Sequence, residues 1–140
     1  MPVRVETRGR SRALQALYAW DVRQDSTPLE RTATLVWDDL AVQPDERAFA
    51  DALIRIVAAE RADIDEELAA VTTNWRIERL GHIERCVLRL AAAELLQGGT
   101  PPRVVIQEAV RLAERYGSSQ SARFVNGVLD ALARRMGRLT

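Results

Sequence analysis

The sequence predicts an all-α fold, and three observations predict it. Apolar residues recur with a period near 3.6 along most of the 140-residue chain. Helix-boundary residues punctuate those periods. The stretches between them are a few residues long, which suits antiparallel helices in a bundle. A chain of this length buries a single core and is too short for two ordinary domains. Residues 1–140 therefore read as one compact domain, with residues 1–8 as a flexible arm.

A first helix is expected from about Gly9 to Gln24, where Ala13, Ala16, Leu17 and Trp20 share one face and Arg8, Arg12, Gln15 and Ala19 the opposite one. Thr27-Pro28-Leu29-Glu30 matches a capping box with Pro at the first helical position, and opens a second helix to about Leu40. Pro44, Asp45 and Glu46 begin a third, with acids where the helix dipole favours them. Its stripe is Phe49, Leu53, Ile56 and Val57, and Ile64, Leu68 and Val71 extend it past a bend.

A short segment around Trp75 to Arg79 leads into a helix from about Leu80 to Gln97, with Ile83, Val87, Leu90 and Ala91 on one face and Gly98-Gly99 as its end. Thr100-Pro101-Pro102 cannot continue a helix. The next helix runs from Arg103 to Tyr116, turning Ile106, Ala109, Val110 and Ala113 to one side, with Gly117 as a left-handed stop. Ser118, Ser119 and Ser121 offer caps for a last helix to about Met136, whose stripe is Val125, Leu129, Leu132 and Met136. Two signals point to strands: the β-branched run Val104-Val105-Ile106 and the hairpin dipeptide Asn126-Gly127. Both sit inside a helical period, so helix is preferred and Gly127 is read as allowing close helix packing.

Composition narrows the function. Apolar residues make up 47% and charged residues 29%, a globular balance, and no apolar run approaches the roughly 20 residues that span a bilayer. The start carries Arg4, Arg8, Arg10 and Arg12 without the apolar stretch of a signal peptide. Cys86 is the only cysteine and His82 the only histidine, so one chain assembles neither a disulfide nor a Cys/His zinc site, and a reducing cytoplasm fits. The net charge of zero is unevenly spread: +3 over residues 1–20, −8 over 21–70 and +5 over 71–140. A basic patch formed by the two ends would supply phosphate contacts. All twenty basic residues are Arg, a bias that a GC-rich genome explains as well as selection for bidentate phosphate donors does.

No catalytic constellation stands out. The seven glycines form no phosphate loop. A Ser, His and acid triad would need His82, which falls on the polar side of its helix and reads as ordinary surface. Glu66 with Glu67, and Asp63 with Asp65, read as solvated neighbours, and Cys86 as a small core hydrophobe. The chain is therefore read as no enzyme, with no metal and no cofactor. Glu94 is the odd acid: in the middle of an apolar face, it needs an Arg or the exposed N–H groups of a neighbouring helix as its partner, the weaker alternative being a catalytic acid of raised pKa.

Surface residues that a core does not demand are the functional candidates. Arg8, Arg12 and Gln15 form a polar stripe, with Arg10 and Arg4 near, that could neutralise successive RNA phosphates, although such faces are more often merely solvated. Tyr18 and Phe124 each lie about a quarter-turn from the centre of their apolar stripes, and Arg123 precedes Phe124. Aromatic stacking plus arginine contacts commonly hold single-stranded RNA.

Four stretches then resemble one family in order and spacing. They are Ala13-Leu14-Gln15-Ala16-Leu17-Tyr18-Ala19-Trp20-Asp21, Ile83-Glu84-Arg85-Cys86-Val87-Leu88-Arg89-Leu90-Ala91, Val105-Ile106-Gln107-Glu108-Ala109-Val110-Arg111-Leu112-Ala113 and Phe124-Val125-Asn126-Gly127-Val128-Leu129-Asp130. They look like the signature stretches of the NusB family. The resemblance implies a bundle of about seven helices that pairs with the small-subunit ribosomal protein NusE. It further implies binding to the boxA element of ribosomal RNA transcripts and help for RNA polymerase in passing terminators. By the same resemblance Arg8, Arg10, Arg12, Gln15, Arg123 and Phe124 face RNA, and Tyr18 and Glu84 face the protein partner. The chain departs from the family's pattern in Gln107 for the usual Asn, in Ala93 for an aromatic, and in the Glu6 and Gly9 interposed among its early basic residues. Two alternatives are a recognition domain of a ribosomal RNA methyltransferase and a structural homodimer.

Overall fold

The computed structural model describes residues 4–72 and 77–139, apart from the side chain of Glu78. Six helices follow in order: α1 (Val5–Arg23), α2 (Leu29–Asp39), α3 (Pro44–Val71), α4 (His82–Gln97), α5 (Pro102–Tyr116) and α6 (Ser119–Arg135), with a 3-10 turn at Ile77–Arg79 before α4. No strand occurs among the described residues, and the all-α expectation of about seven helices is met. Residues 73–76, which hold Trp75 and the start of its expected short segment, lie outside the described residues.

α4 is the axis of the bundle. Every residue from Arg85 to Leu95 is buried, and α1, α3, α5 and α6 all pack against it. A helix covered on all sides must be apolar nearly all round, and Ala91-Ala92-Ala93 lets its neighbours approach. Its three interruptions, Arg85, Arg89 and Glu94, require partners of opposite charge. α2 lies over α1 and α3. There Trp37 is buried and its indole N–H donates to the Arg12 carbonyl at 3.0 Å.

The bend in α3 falls at Glu60, whose φ of −115° and ψ of 16° leave the helical region. Ser118 caps α6, accepting from the Ser121 N–H at 3.1 Å, and Gly98 ends α4 at φ +81°. Gly9 sits where α1 meets Phe49 of α3: a Cβ there would lie 2.8 Å from the ring, so the two helices approach as only glycine permits.

Four local expectations are corrected. Helix α1 begins at Val5, so residues 5–8 belong to it and not to an arm. The capping box does not form: α2 starts at Leu29 with Pro28 as its cap. The reason is that Thr27 is held outside the helix, its N–H bonded to Asp25 and its carbonyl to the Trp20 indole. Gly117 has φ −117° and is no left-handed stop; its lack of a side chain instead leaves room for the Ala113 carbonyl, 2.7 Å from where a Cβ would stand. Gly127 faces open space, so no helix packs against it.

The end of α2 offers a first test. The Ala41 N–H bonds to the Asp38 carbonyl and the Val42 N–H to the Trp37 carbonyl, a Schellman closure with Ala41 at φ +51°. An L side chain is strained there, so Ala41→Gly is expected to raise stability by about 0.5–1 kcal/mol. A higher urea midpoint would show it, and a lower one would refute the reading.

Candidate nucleic-acid interface and the ion pairs behind it

Two buried ion-pair clusters fasten α1 to the bundle. In the first, Arg10 donates to both oxygens of Glu94, Nε to Oε1 at 2.8 Å and Nη2 to Oε2 at 2.6 Å, and through Nη1 to Glu108 at 2.8 Å. Thr7 also donates to Glu108. Arg10 and Glu94 are only 7% and 2% exposed. The Phe49 ring lies 5.1 Å below the guanidinium. Burial works against the charged guanidinium, but Glu94, then Glu108 and Glu6, outweigh it and hold its pKa above the usual value. Glu94 thus has the arginine partner its position demanded. Arg10 itself, expected to face RNA, is turned inward, and its guanidinium is spent on Glu94 and Glu108.

In the second cluster Asp21, at the other end of α1, receives Arg85 Nη2 at 2.5 Å and Arg89 Nη1 at 3.2 Å, and His82 Nδ1 lies 2.6 Å away. Arg89 also makes a two-bond fork with Asp65 of α3, both distances 2.9 Å. Arg85 reaches back to the carbonyls of Leu80 and Ile77, fixing the 3-10 turn. Burial pushes the Asp21 carboxyl up, yet the bonds from Arg85 and His82 and the charges of Arg85 and Arg89 leave it below the ordinary value. Beside it, burial and then the Asp21 charge push the Cys86 thiol up to about 12, which keeps it protonated and inert. His82 is therefore not plain surface but half-buried and engaged with Asp21. None of Asp21, Asp65, Arg85 and Arg89 stood out as a site residue in the sequence.

The outer side of α1 carries the expected stripe. Arg8 is exposed and Arg12 half-buried; both reach the buried carboxylate of Glu46 in the first turn of α3, each at 3.3 Å. Arg12 also donates to Gln15 at 3.2 Å. Two guanidinium groups share one buried carboxylate, so the three side chains together keep a net positive charge, and the exposed Arg8 guanidinium stays open to a second anion. Arg8, Arg12 and Gln15 are thus brought together.

Tyr18 is 41% exposed and meets the edge of the His82 ring at a centroid distance of 6.0 Å. Glu84, two residues further along α4, accepts from Ser121 Oγ at 2.6 Å. Glu84 and Phe124 line one open cavity of about 370 Å³ together with Arg79, Leu80 and Gln120. A residue expected on the protein-partner side and one expected on the RNA side therefore meet. Arg123 is exposed on α6 and has no ion pair among the described residues. Among those residues no His, Cys, Asp and Glu cluster could hold a metal ion, and no helix is long and apolar enough to cross a membrane.

The geometry defines a class: a small all-α bundle built on a buried central helix, with ion-pair locks inside and an arginine-bearing surface outside. Comparison with known proteins narrows it. The family model described as the NusB family matches residues 7–134. The chain belongs to the NusB family. It is 44% identical over 132 residues to the transcription antitermination protein NusB of Sorangium cellulosum, covering 94% of this chain and 93% of that one. Among solved structures, T. maritima NusB superposes with a TM-score of 0.85 at 32% identity, covering 96% of this chain and 93% of that one. A chain from the crystal structure of the antitermination factors NusB and NusE in complex with dsRNA gives 0.84 at 29% identity, covering 96% and 99%.

Proposed function

We propose that the chain is an RNA-binding transcription antitermination factor. With the ribosomal protein NusE it binds boxA in ribosomal RNA transcripts and helps RNA polymerase read through terminators. It works in the cytoplasm by placing its partners and without catalysis. The observation that carries the reading is the nearly end-to-end match to a chain solved with NusB, NusE and dsRNA together.

The local chemistry supports it. Arg8 and Arg12, steered by the carboxylate of Glu46 and by Gln15, present guanidinium groups to a phosphate backbone, and Arg123 with Phe124 adds a cation and a ring edge on α6. Tyr18, which meets His82 of the first turn of α4, and Glu84 of that same turn form the face for NusE. Arg10 serves the same surface from behind, by holding α1 to α4 and α5.

The test is fluorescence anisotropy of a boxA RNA and a scrambled control, with the protein alone and mixed with NusE, at two salt concentrations. Tighter and sequence-preferring binding in the mixture is the expected result. Replacing Arg8 and Arg12 together by alanine is expected to weaken binding about tenfold. The slope of log affinity against log salt should also flatten, by about 0.7 for each phosphate that is no longer neutralised. Glu46→Gln, which frees both arginines, is expected to shift affinity the other way. Unchanged binding in both variants would remove these arginines from the interface.

A further inference from the structure

Four acids of the chain's acidic middle, Glu60, Asp63, Glu66 and Glu67, have no part in the function above, and the fold gathers them at one place. The second half of α3, after the bend, runs beside α6 with α4 beneath, and between them opens a groove of about 600 Å³. Its floor is Ile64, Ala92 and Leu132, and Leu96 and Met136 stand at its mouth. Leu96 is half exposed, the most exposed of the large hydrophobic side chains among the described residues. Glu60, Asp63, Glu66 and Glu67 form the rim. Only Glu67 is paired, with Arg135 at 2.9 Å, and the other three have no ion pair among the described residues.

We propose that this groove seats a basic amphipathic helix of a partner protein, its apolar residues against Leu96 and Met136 and its arginines or lysines against Glu60, Asp63 and Glu66. Charge complementarity selects the occupant. Three unneutralised carboxylates around an apolar mouth repel RNA and anionic lipid alike, and they attract a cation-flanked apolar stripe, the usual form of a helix laid in a groove. The position also leaves the RNA surface free. Glu46, which holds Arg8 and Arg12, precedes Glu60 by 14 residues in α3, about 20 Å at the helical rise. The groove and the arginine stripe are thus far enough apart to be occupied together. Occupation of the groove does not depend on the RNA reading.

The probe is a fluorescent helical peptide of about 18 residues with leucines at i, i+3, i+4 and i+7 and arginines flanking them, compared with a composition-matched scramble. Anisotropy with the full chain is expected to show at least about tenfold tighter binding of the amphipathic peptide than of the scramble. Joint replacement Glu60→Gln, Asp63→Asn and Glu66→Gln should remove most of that binding and its salt dependence. Leu96→Ser should abolish the preference over the scramble. Both variants alter exposed side chains, so their helical circular dichroism and boxA binding should match the parent's. Equal binding of the two peptides overturns the proposal, as does a triple variant that binds like the parent. A chain that sediments as a dimer and is dispersed by Leu96→Ser assigns the groove to a second copy instead, and overturns it too.

Discussion

Arg10→Ala is expected to cost about 3–5 kcal/mol of folding stability, a large share of the total for a domain of this size. The substitution leaves Glu94, 2% exposed, without the guanidinium that neutralises both of its oxygens, and it removes the cation above the Phe49 ring. An unpaired carboxylate at that depth either stays charged at high cost or takes up a proton, and the folded state loses stability by either route. Urea unfolding should show a much lower midpoint with an unchanged slope. The double variant Arg10→Met with Glu94→Leu should recover most of the loss, because apolar residues of similar volume satisfy a buried site about as well as an ion pair does. A loss below about 1 kcal/mol for Arg10→Ala would mean that the pair is solvated and holds nothing.

The same pair of variants separates two roles for the cluster. If it serves only stability, the double variant should bind RNA as the parent does. If the bidentate geometry also sets the rotation of α1, and with it the direction of Arg8 and Arg12, the double variant should be stable yet bind RNA more weakly. The second outcome is expected, since apolar packing fixes the rotation of a helix less sharply than a planar fork does.

The helices were legible because their signals are local. Ser118 caps α6, Gly98 stops α4, Pro44 opens α3 and the β-branched run 104–106 lies within α5, all as neighbouring residues dictate. Partners distant in sequence were not legible. Glu94 announced a need by sitting on an apolar face, but its partner is 84 positions away and is one of twenty arginines. A signal did exist: Arg10, Ala13, Leu14, Leu17 and Asp21 follow one another at helical spacing, and all five are buried. Centring the face on Ala13, Ala16, Leu17 and Trp20 passed over Leu14 and left Arg10 and Asp21 at its margin. In α4 no choice of face could have helped, because every side is covered and Arg85 and Arg89 are buried among its apolar neighbours.

Asp21→Ala is the second large effect, and it carries a pH signature. Without the carboxylate, Arg85 keeps its bonds to the carbonyls of Leu80 and Ile77 but loses its 2.5 Å bond to Asp21, while Arg89 retains Asp65. A loss of about 3 kcal/mol is expected near neutral pH. The Asp21 pKa lies below its usual value of 3.8 in the folded protein, so the ionised form is the one that folding favours. Its contribution is complete above the unfolded value and disappears as the pH falls through the folded one. The gap in stability between the parent and Asp21→Ala should therefore stay constant down to about pH 5 and shrink progressively below about pH 4. Urea unfolding across that range measures it, and a gap that persists unchanged into strong acid would show that Asp21 contributes shape rather than charge. His82 adds a functional readout. Its ring is held by Asp21 and meets Tyr18, so the variant is also expected to weaken NusE binding at neutral pH, where the fold survives and only the support of the Tyr18 face has been withdrawn.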